Sequence, residues 1–244
     1  MSNTVSNAIY VPYRTDVECH AIAEAFLREH GFYSPYRDNS APYINVENLA
    51  NKAGYFVQPI PGLSQRHGVK AAIVRIGAKR LEIHVDLYHY DHHKNTPFSI
   101  AEELGHIILH AHLFANARDV ADVIKLIESL SNDTRKRIEI QAKSLASCLL
   151  LPDHKLRPFA VGFCKEKERV IKEEELINHT SGLSSYLEER FVEDHGLSSL
   201  IFSRALRRET PTPIIDELSA LLRIGEPSIK LPGKIENTSS TTPF

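Results

Sequence analysis

The sequence predicts an α+β fold in which a small sheet precedes a series of helices. Two runs of apolar or alternating residues, 71–76 and 81–87, lie on either side of Gly77 and are typical of the strands of a hairpin. Helical spacing of apolar residues occurs before these runs and in most of the chain after them. The 244 residues, 42% hydrophobic and 25% charged, suffice for one large domain or a domain with an appendage, and they exclude wholesale disorder.

Two helices and an extended segment are expected before the hairpin. Apolar residues repeat at helical spacing from Thr15 and stop at Gly31, which predicts the first helix. Asn45 can cap a shorter helix that ends at Gly54. Residues 55–58 are then expected to be extended.

Helices dominate after the hairpin. Thr96 as N-cap, with Pro97 in the first helical position, predicts the start of a helix, because proline lacks an N–H that would be unpaired there. Asn132 or Asp133 is expected to cap a long helix that Pro152 stops. Three further segments show helical spacing: 118–130, 186–192 and 198–208.

The chain is expected to divide into four parts. Residues 1–14 are predicted to be a flexible N-terminus and 15–155 the main domain. Residues 156–224 are predicted to be a helical C-terminal extension. Residues 225–244, rich in proline, serine and threonine, are predicted to be a disordered tail.

The charge balance and the cysteines limit which classes of partner and which cellular compartment are expected. With 29 basic and 31 acidic side chains, the net charge favours neither direct nucleic-acid binding nor a membrane partner. No apolar window has the length of a membrane span. Three scattered cysteines do not form a disulfide framework, so we expect a soluble cytoplasmic protein.

A local basic cluster is the exception to the balanced charge. Arg204, Arg207 and Arg208 share one face of a predicted helix after a glycine turn. This spacing is compatible with a DNA recognition helix or with a packed helix that has a solvated basic rim. The balanced net charge favours the second interpretation.

The helix predicted to start at Thr96 has one polar face. Four side chains fall within an arc of about 100° on it: Glu102, Glu103, His106 and His110. On an otherwise apolar helix such a face must be solvated, paired internally or bound to a cation. The spacing is close to the H-E-x-x-H zinc motif, in which two ligands lie one turn apart and the glutamate acts as general base.

The motif differs from H-E-x-x-H at its first position. Glu103 has the position of the base, His106 that of the second ligand, and Glu102 replaces the first histidine. A catalytic zinc needs a third protein ligand, and Glu139 is the candidate because small residues beside it would let the long helix approach closely. The alternatives are an exposed glutamate at 139 and a paired core histidine at 106.

Three segments resemble the ImmA/IrrE family of metallopeptidases. They are YINVENLA at 43–50, FSIAEELGHIILH at 98–110 and IEIQAKSLASCLLLP at 138–152. The family pattern is approximately FTIAHELGHxxLH followed by ExxANxFAxxLLMP, and the resemblance covers about residues 15–155. It implies a zincin-like fold and a cytoplasmic endopeptidase that cleaves a helix-turn-helix transcriptional repressor.

By this resemblance His106 and Glu139 would be metal ligands and Glu103 the base. The chain departs from the pattern at three positions: Glu102 for histidine, Lys143 for asparagine and Leu145 for phenylalanine. A carboxylate at 102 could still bind zinc, although two carboxylates cancel the charge of the ion and would acidify water less. An oxygen-rich site also favours manganese or iron over zinc.

The sequence therefore predicts a zinc-type endopeptidase that cleaves a helix-turn-helix repressor. The alternative is a catalytically impaired relative that acts as a protein-binding regulatory module, and Glu102 is the residue that favours it. Histidines between the hairpin and the motif helix could supply the missing nitrogen ligand, although such loop clusters are more often solvated. These are His84, His89, His92 and His93.

Overall fold

The computed structural model describes residues 11–33, 41–77, 80–173, 180–195, 197–208 and 212–224. The predicted disordered tail, most of the predicted N-terminal segment, the hairpin turn at 78–79 and Gly196 lie outside the described residues. The helices are α1 (Asp16–Glu29), α2 (Val46–Lys52), α3 (Leu63–His67), α4 (Leu87–His92), α5 (Thr96–His110), α6 (Val120–Ser129), α7 (Asn132–Leu150), α8 (Asp153–Glu166), α9 (Glu168–Glu173), α10 (Thr180–His195), α11 (Ser199–Leu206) and α12 (Ile214–Ile224). The strands are β1 (Phe56–Ile60), β2 (Ala71–Ile76) and β3 (Arg80–Asp86).

The strands form one mixed sheet in the order β1-β3-β2. β2 and β3 pair antiparallel, with Ile73 opposite Ile83, as the predicted hairpin requires. β1 pairs parallel to β3 on the other side, with Val57 opposite Ile83, and α3 lies in the connection that returns the chain. The α+β class predicted from the sequence is confirmed, and a small sheet lies beside a mostly helical body, as in a zincin-like domain.

The predicted cap at Asn45 is confirmed, and α1 has a cap at Thr15, where the predicted helical pattern starts. Thr15 begins α1 with a capping box, in which its hydroxyl accepts from the Glu18 N–H at 3.2 Å and the Glu18 carboxylate accepts from the Thr15 N–H at 2.8 Å. The Asn45 side chain accepts from the Asn48 N–H at 3.0 Å and so caps α2. Gly31 and Gly54 follow the two helices with positive φ, which glycine adopts without a steric penalty.

Two other predicted caps are wrong. The cap of α7 is Ser131, whose hydroxyl accepts from the Thr134 N–H at 3.1 Å, one residue before the predicted Asn132 or Asp133. Thr96 lies inside α5, because its hydroxyl donates to the carbonyl of His89 at 2.6 Å instead of accepting from its own helix. That bond ties the start of α5 to α4, a helix that the sequence did not predict.

The C-terminal helices pack against the end of α7 through a buried arginine. Arg208 was predicted to share an exposed or rim position with Arg204 and Arg207, but its side chain is only 4% exposed. It donates to Asp153 Oδ1 at 2.6 Å and to the carbonyls of Ser147 and Leu151 at 2.9 and 3.1 Å. The guanidinium of Arg208 therefore forms buried interactions within the fold, and Arg208 cannot belong to a surface patch.

None of the helices in the described ranges combines the length and the apolar character that crossing a bilayer requires.

Candidate metal centre

The centre is built where α5 and α7 approach each other closely. An ideal Cβ on Gly105 would lie 2.8 Å from the carbonyl oxygen of Ala142, so the two backbones touch at a point where no larger residue fits on α5. Leu104 on one helix and Leu145 and Leu149 on the other are fully buried around this contact. The prediction that small residues let the long helix approach the motif helix is confirmed.

This contact brings together the three residues predicted as metal ligands. Glu102, His106 and Glu139 each offer one ligand atom, and these atoms lie within 4.8 Å of one another. We call this group the Glu-His-Glu cluster. His106 Nε2 lies 3.7 Å from Glu139 Oε1, His106 is buried, and the Glu139 side chain is 38% exposed.

A chain of hydrogen bonds sets the tautomer of His106. Gln141 Nε2 donates to the Pro12 carbonyl at 2.8 Å, so its Oε1 accepts from His110 Nε2 at 3.0 Å. His110 Nδ1 then has a lone pair and accepts from His106 Nδ1 at 3.3 Å. The lone pair of His106 is therefore on Nε2, the atom that faces Glu139, which is the arrangement a metal-ligating histidine needs.

Burial keeps both imidazoles neutral. It lowers the pKa of His106 to about 3, and His110 and Lys143 add to that shift. Burial also lowers the pKa of His110. His106 Nε2 and Glu139 Oε1 are then two acceptors that face each other without a proton between them, and such a pair is stabilised by a cation.

Lys143 is the site residue whose role the sequence did not reveal. Its ammonium lies 3.4 Å from Glu102 Oε1 and 3.3 Å from Glu139 Oε2, so it bridges both carboxylates of the Glu-His-Glu cluster. In the sequence it was only a departure from the asparagine of the family pattern. The spacing of Glu139 and Lys143, four residues apart on one helix, could have indicated one of the two ion pairs.

Burial raises the pKa of both adjacent glutamates of α5. Burial raises the pKa of Glu102, and the nearby Lys143 opposes that shift. Burial raises the pKa of Glu103 to about 8, and the carboxylates of Glu102 and Glu139 add to the rise. Glu103 is half-buried beside the cluster, and a carboxyl with this pKa suits an acid or base near neutral pH.

The histidines between the hairpin and α5 do not join the cluster. His89 was expected in a solvated loop, but it is buried on α4, with its Nε2 3.2 Å from Ser99 Oγ. The Asp86 carboxylate caps α4 by accepting from the His89 N–H at 3.1 Å, which makes this segment helical. His84 Nε2 lies 3.3 Å from Glu82 Oε2. His92 and His93 are exposed, as is His112 after the end of α5.

The donors of the Glu-His-Glu cluster fit a divalent cation. One imidazole lone pair and two carboxylates are ligand types that zinc, manganese and iron accept in proteins. Lys143 is bound to the same carboxylates and therefore competes with any such ion. The chemistry of the centre depends on which cation, metal or ammonium, the carboxylates hold.

Comparison with known proteins identifies the part of the chain that contains the centre. Residues 81–191 match the model of a peptidase family, the IrrE N-terminal-like domain. This range includes both helices of the Glu-His-Glu cluster and begins in β3. Searches among curated proteins and among solved structures found no match.

Proposed function

We propose that the protein is a metal-dependent endopeptidase of the ImmA/IrrE kind that hydrolyses a peptide bond in a partner protein, because residues 81–191 match the model of the IrrE N-terminal-like peptidase domain. The observation that carries this proposal is the Glu-His-Glu cluster, formed by two neighbouring helices around an unprotonated imidazole nitrogen. The proposed substrate is a helix-turn-helix repressor, following the resemblance described above. We place the activity in the cytoplasm, since Cys19, Cys148 and Cys164 are buried free thiols.

In this function His106, Glu139 and Glu102 would hold the metal. A divalent ion, when bound, would polarise the scissile carbonyl and acidify water. Zinc is the first candidate, with manganese or iron favoured if Glu102 is a ligand.

Glu103 is the residue proposed to move the proton. It would take a proton from the attacking water and pass it to the leaving amine. Only its ionised form can accept that proton. With a pKa of about 8 in the metal-free protein, the ionised fraction grows as the pH rises through that value.

Removal of this base tests the proposal. Parent protein with added zinc is incubated with candidate helix-turn-helix repressors, and fragments are identified by mass spectrometry. We expect Glu103→Gln to slow cleavage by at least about 100-fold, because the amide has the shape of the carboxyl but cannot accept a proton. Glu166→Gln, at an exposed position on α8, is the matched control and should cleave at the parent rate. Cleavage by Glu103→Gln at the parent rate would refute the assigned base.

A non-catalytic binding module is the second candidate function. The observation that favours it is the bridge from Lys143 to Glu102 and Glu139, which pairs the polar face of α5 internally without a metal. A paired face of this kind stabilises the fold and leaves the surface of the domain available for a protein partner.

Restoring the family residues distinguishes the two functions. The double variant Glu102→His with Lys143→Asn supplies a second imidazole and removes the ammonium in one step. If the protein is an endopeptidase limited by these departures, we expect cleavage of the partner repressor to rise at least about tenfold, because even changes to the residues around metal ligands alter metal affinity or activity by about 10–100-fold. A repressor that binds the parent tightly and is cleaved by neither protein would favour the binding module.

A further inference from the structure

Lys143 contacts both carboxylates of the cluster, and on Glu139 it contacts the oxygen that does not face His106. Glu139 presents Oε1 to His106 Nε2 at 3.7 Å and Oε2 to the Lys143 ammonium at 3.3 Å. The same ammonium reaches Glu102 Oε1 at 3.4 Å. A single positive charge thus lies between the two carboxylates that would bind a metal.

The surroundings favour a cation at this point. The Glu102 side chain is only 19% exposed, and the carboxylate of Glu139 is close enough to repel it. Two carboxylates that share a half-buried site repel each other, and a positive charge placed between them offsets that repulsion. His106 Nε2 faces Glu139 Oε1 at 3.7 Å, which is too long for a hydrogen bond. Lys143 is therefore the cation that the described residues provide.

Lys143 is also able to leave. Its side chain is 40% exposed, and a lysine carries its charge on a flexible four-carbon stem that can extend into solvent. It makes no contact with the lone pair on His106 Nε2 among the interactions described, so the imidazole remains open to an ion while the carboxylates are occupied. Because Lys143 lies one turn from Glu139 on α7, its effective concentration at the cluster is high.

We propose that the Lys143 ammonium is a tethered cation that neutralises Glu102 and Glu139 in the resting protein, and that a divalent metal binds the Glu-His-Glu cluster only by displacing it. The contact is autoinhibitory: it weakens metal binding and keeps the fold stable without an ion. This inference rests on the proposed function only in that both assign metal binding to the Glu-His-Glu cluster. It is tested by metal affinity, so its outcome does not depend on whether any repressor is cleaved.

The experiment is a metal titration of the full-length chain after treatment with a chelator. Zinc and manganese affinities are measured by calorimetry and by competition with a chromophoric chelator. Four proteins are compared: the parent, Lys143→Met, Lys143→Arg and Lys136→Met. Lys143→Met removes the charge and keeps the stem, Lys143→Arg keeps the charge, and Lys136→Met removes an exposed lysine two turns earlier on the same helix.

We expect Lys143→Met to bind zinc at least about tenfold more tightly than the parent, a gain of about 1.4 kcal/mol. Lys143→Arg and Lys136→Met should bind with the parent affinity or more weakly. A second readout is thermal unfolding in the presence of a chelator. The metal-free Lys143→Met protein should melt at a lower temperature than the metal-free parent, and zinc should raise its midpoint by more.

Three results would overturn the inference. The first is equal zinc affinity in the parent and Lys143→Met, including the case in which neither binds. The second is an arginine variant that binds as tightly as the methionine variant, since the charge would then be irrelevant. The third is a metal-free Lys143→Met protein as stable as the metal-free parent, which would show that the carboxylates need no cation. If Lys143→Met does not fold, Lys143→Gln is used in its place with the same expected outcomes.

Discussion

Replacing Arg208 with methionine is expected to lower the free energy of unfolding by about 3–5 kcal/mol. Arg208 is 4% exposed and pairs with Asp153, whose own side chain is 15% exposed. Its guanidinium also donates to the carbonyls of Ser147 and Leu151 at the C-terminal end of α7, where the Ser147 carbonyl accepts from the Leu151 N–H as well. Methionine fills similar space but removes this donor from both carbonyls, and it leaves the Asp153 carboxylate with the more distant Arg157 at 3.4 Å. A lysine ammonium cannot reproduce the planar set of N–H donors of the guanidinium. Arg208→Lys should therefore recover only part of the lost free energy of unfolding.

Urea unfolding followed by circular dichroism measures this effect. Arg204→Met is the control, because Arg204 lies on α11 with its side chain exposed and should change stability by no more than about 0.5 kcal/mol. If Arg208→Met lowers the free energy of unfolding by less than about 1 kcal/mol, the assigned role is wrong, because an ion pair exposed on the surface contributes that much.

Replacing Gly105 with leucine is expected to lower the free energy of unfolding by at least about 3 kcal/mol. The Cβ alone would lie 2.8 Å from the carbonyl oxygen of Ala142, and a backbone atom of α7 cannot move aside as a flexible side chain could. The two helices must separate, and Glu139 then moves away from His106. We therefore expect Gly105→Leu to lose metal binding as well as stability.

Gly162 on α8 provides the matched control for this substitution. A Cβ at Gly162 meets no atom within 4 Å, so leucine there should be neutral or should stabilise α8 by up to about 1 kcal/mol through its higher helix propensity. Unfolding by urea and zinc affinity are measured for both variants. A Gly105→Leu protein with parent stability and parent zinc affinity would show that the close approach of α5 and α7 is not required.

Features of the fold that depend on neighbouring residues could be predicted from the sequence. The first helix, the cap at Asn45 and the strands of the hairpin follow from short-range patterns, and they are present. The common face of Glu102 and His106 on α5 follows in the same way, because the helical period is a local property. Even so, Thr96 was misassigned, since its hydroxyl binds a carbonyl of another helix.

Features that depend on residues distant in sequence were decided by the tertiary structure. The parallel pairing of β1 with β3 and the burial of Arg208 against α7 and α8 are contacts that no local pattern specifies. The sequence by itself determined which residues could form a metal centre, because the polar face of α5 and the candidate Glu139 are visible as spacing. Only the tertiary structure placed the ammonium of Lys143 between Glu102 and Glu139, because an ion pair across two helices depends on how closely their backbones approach.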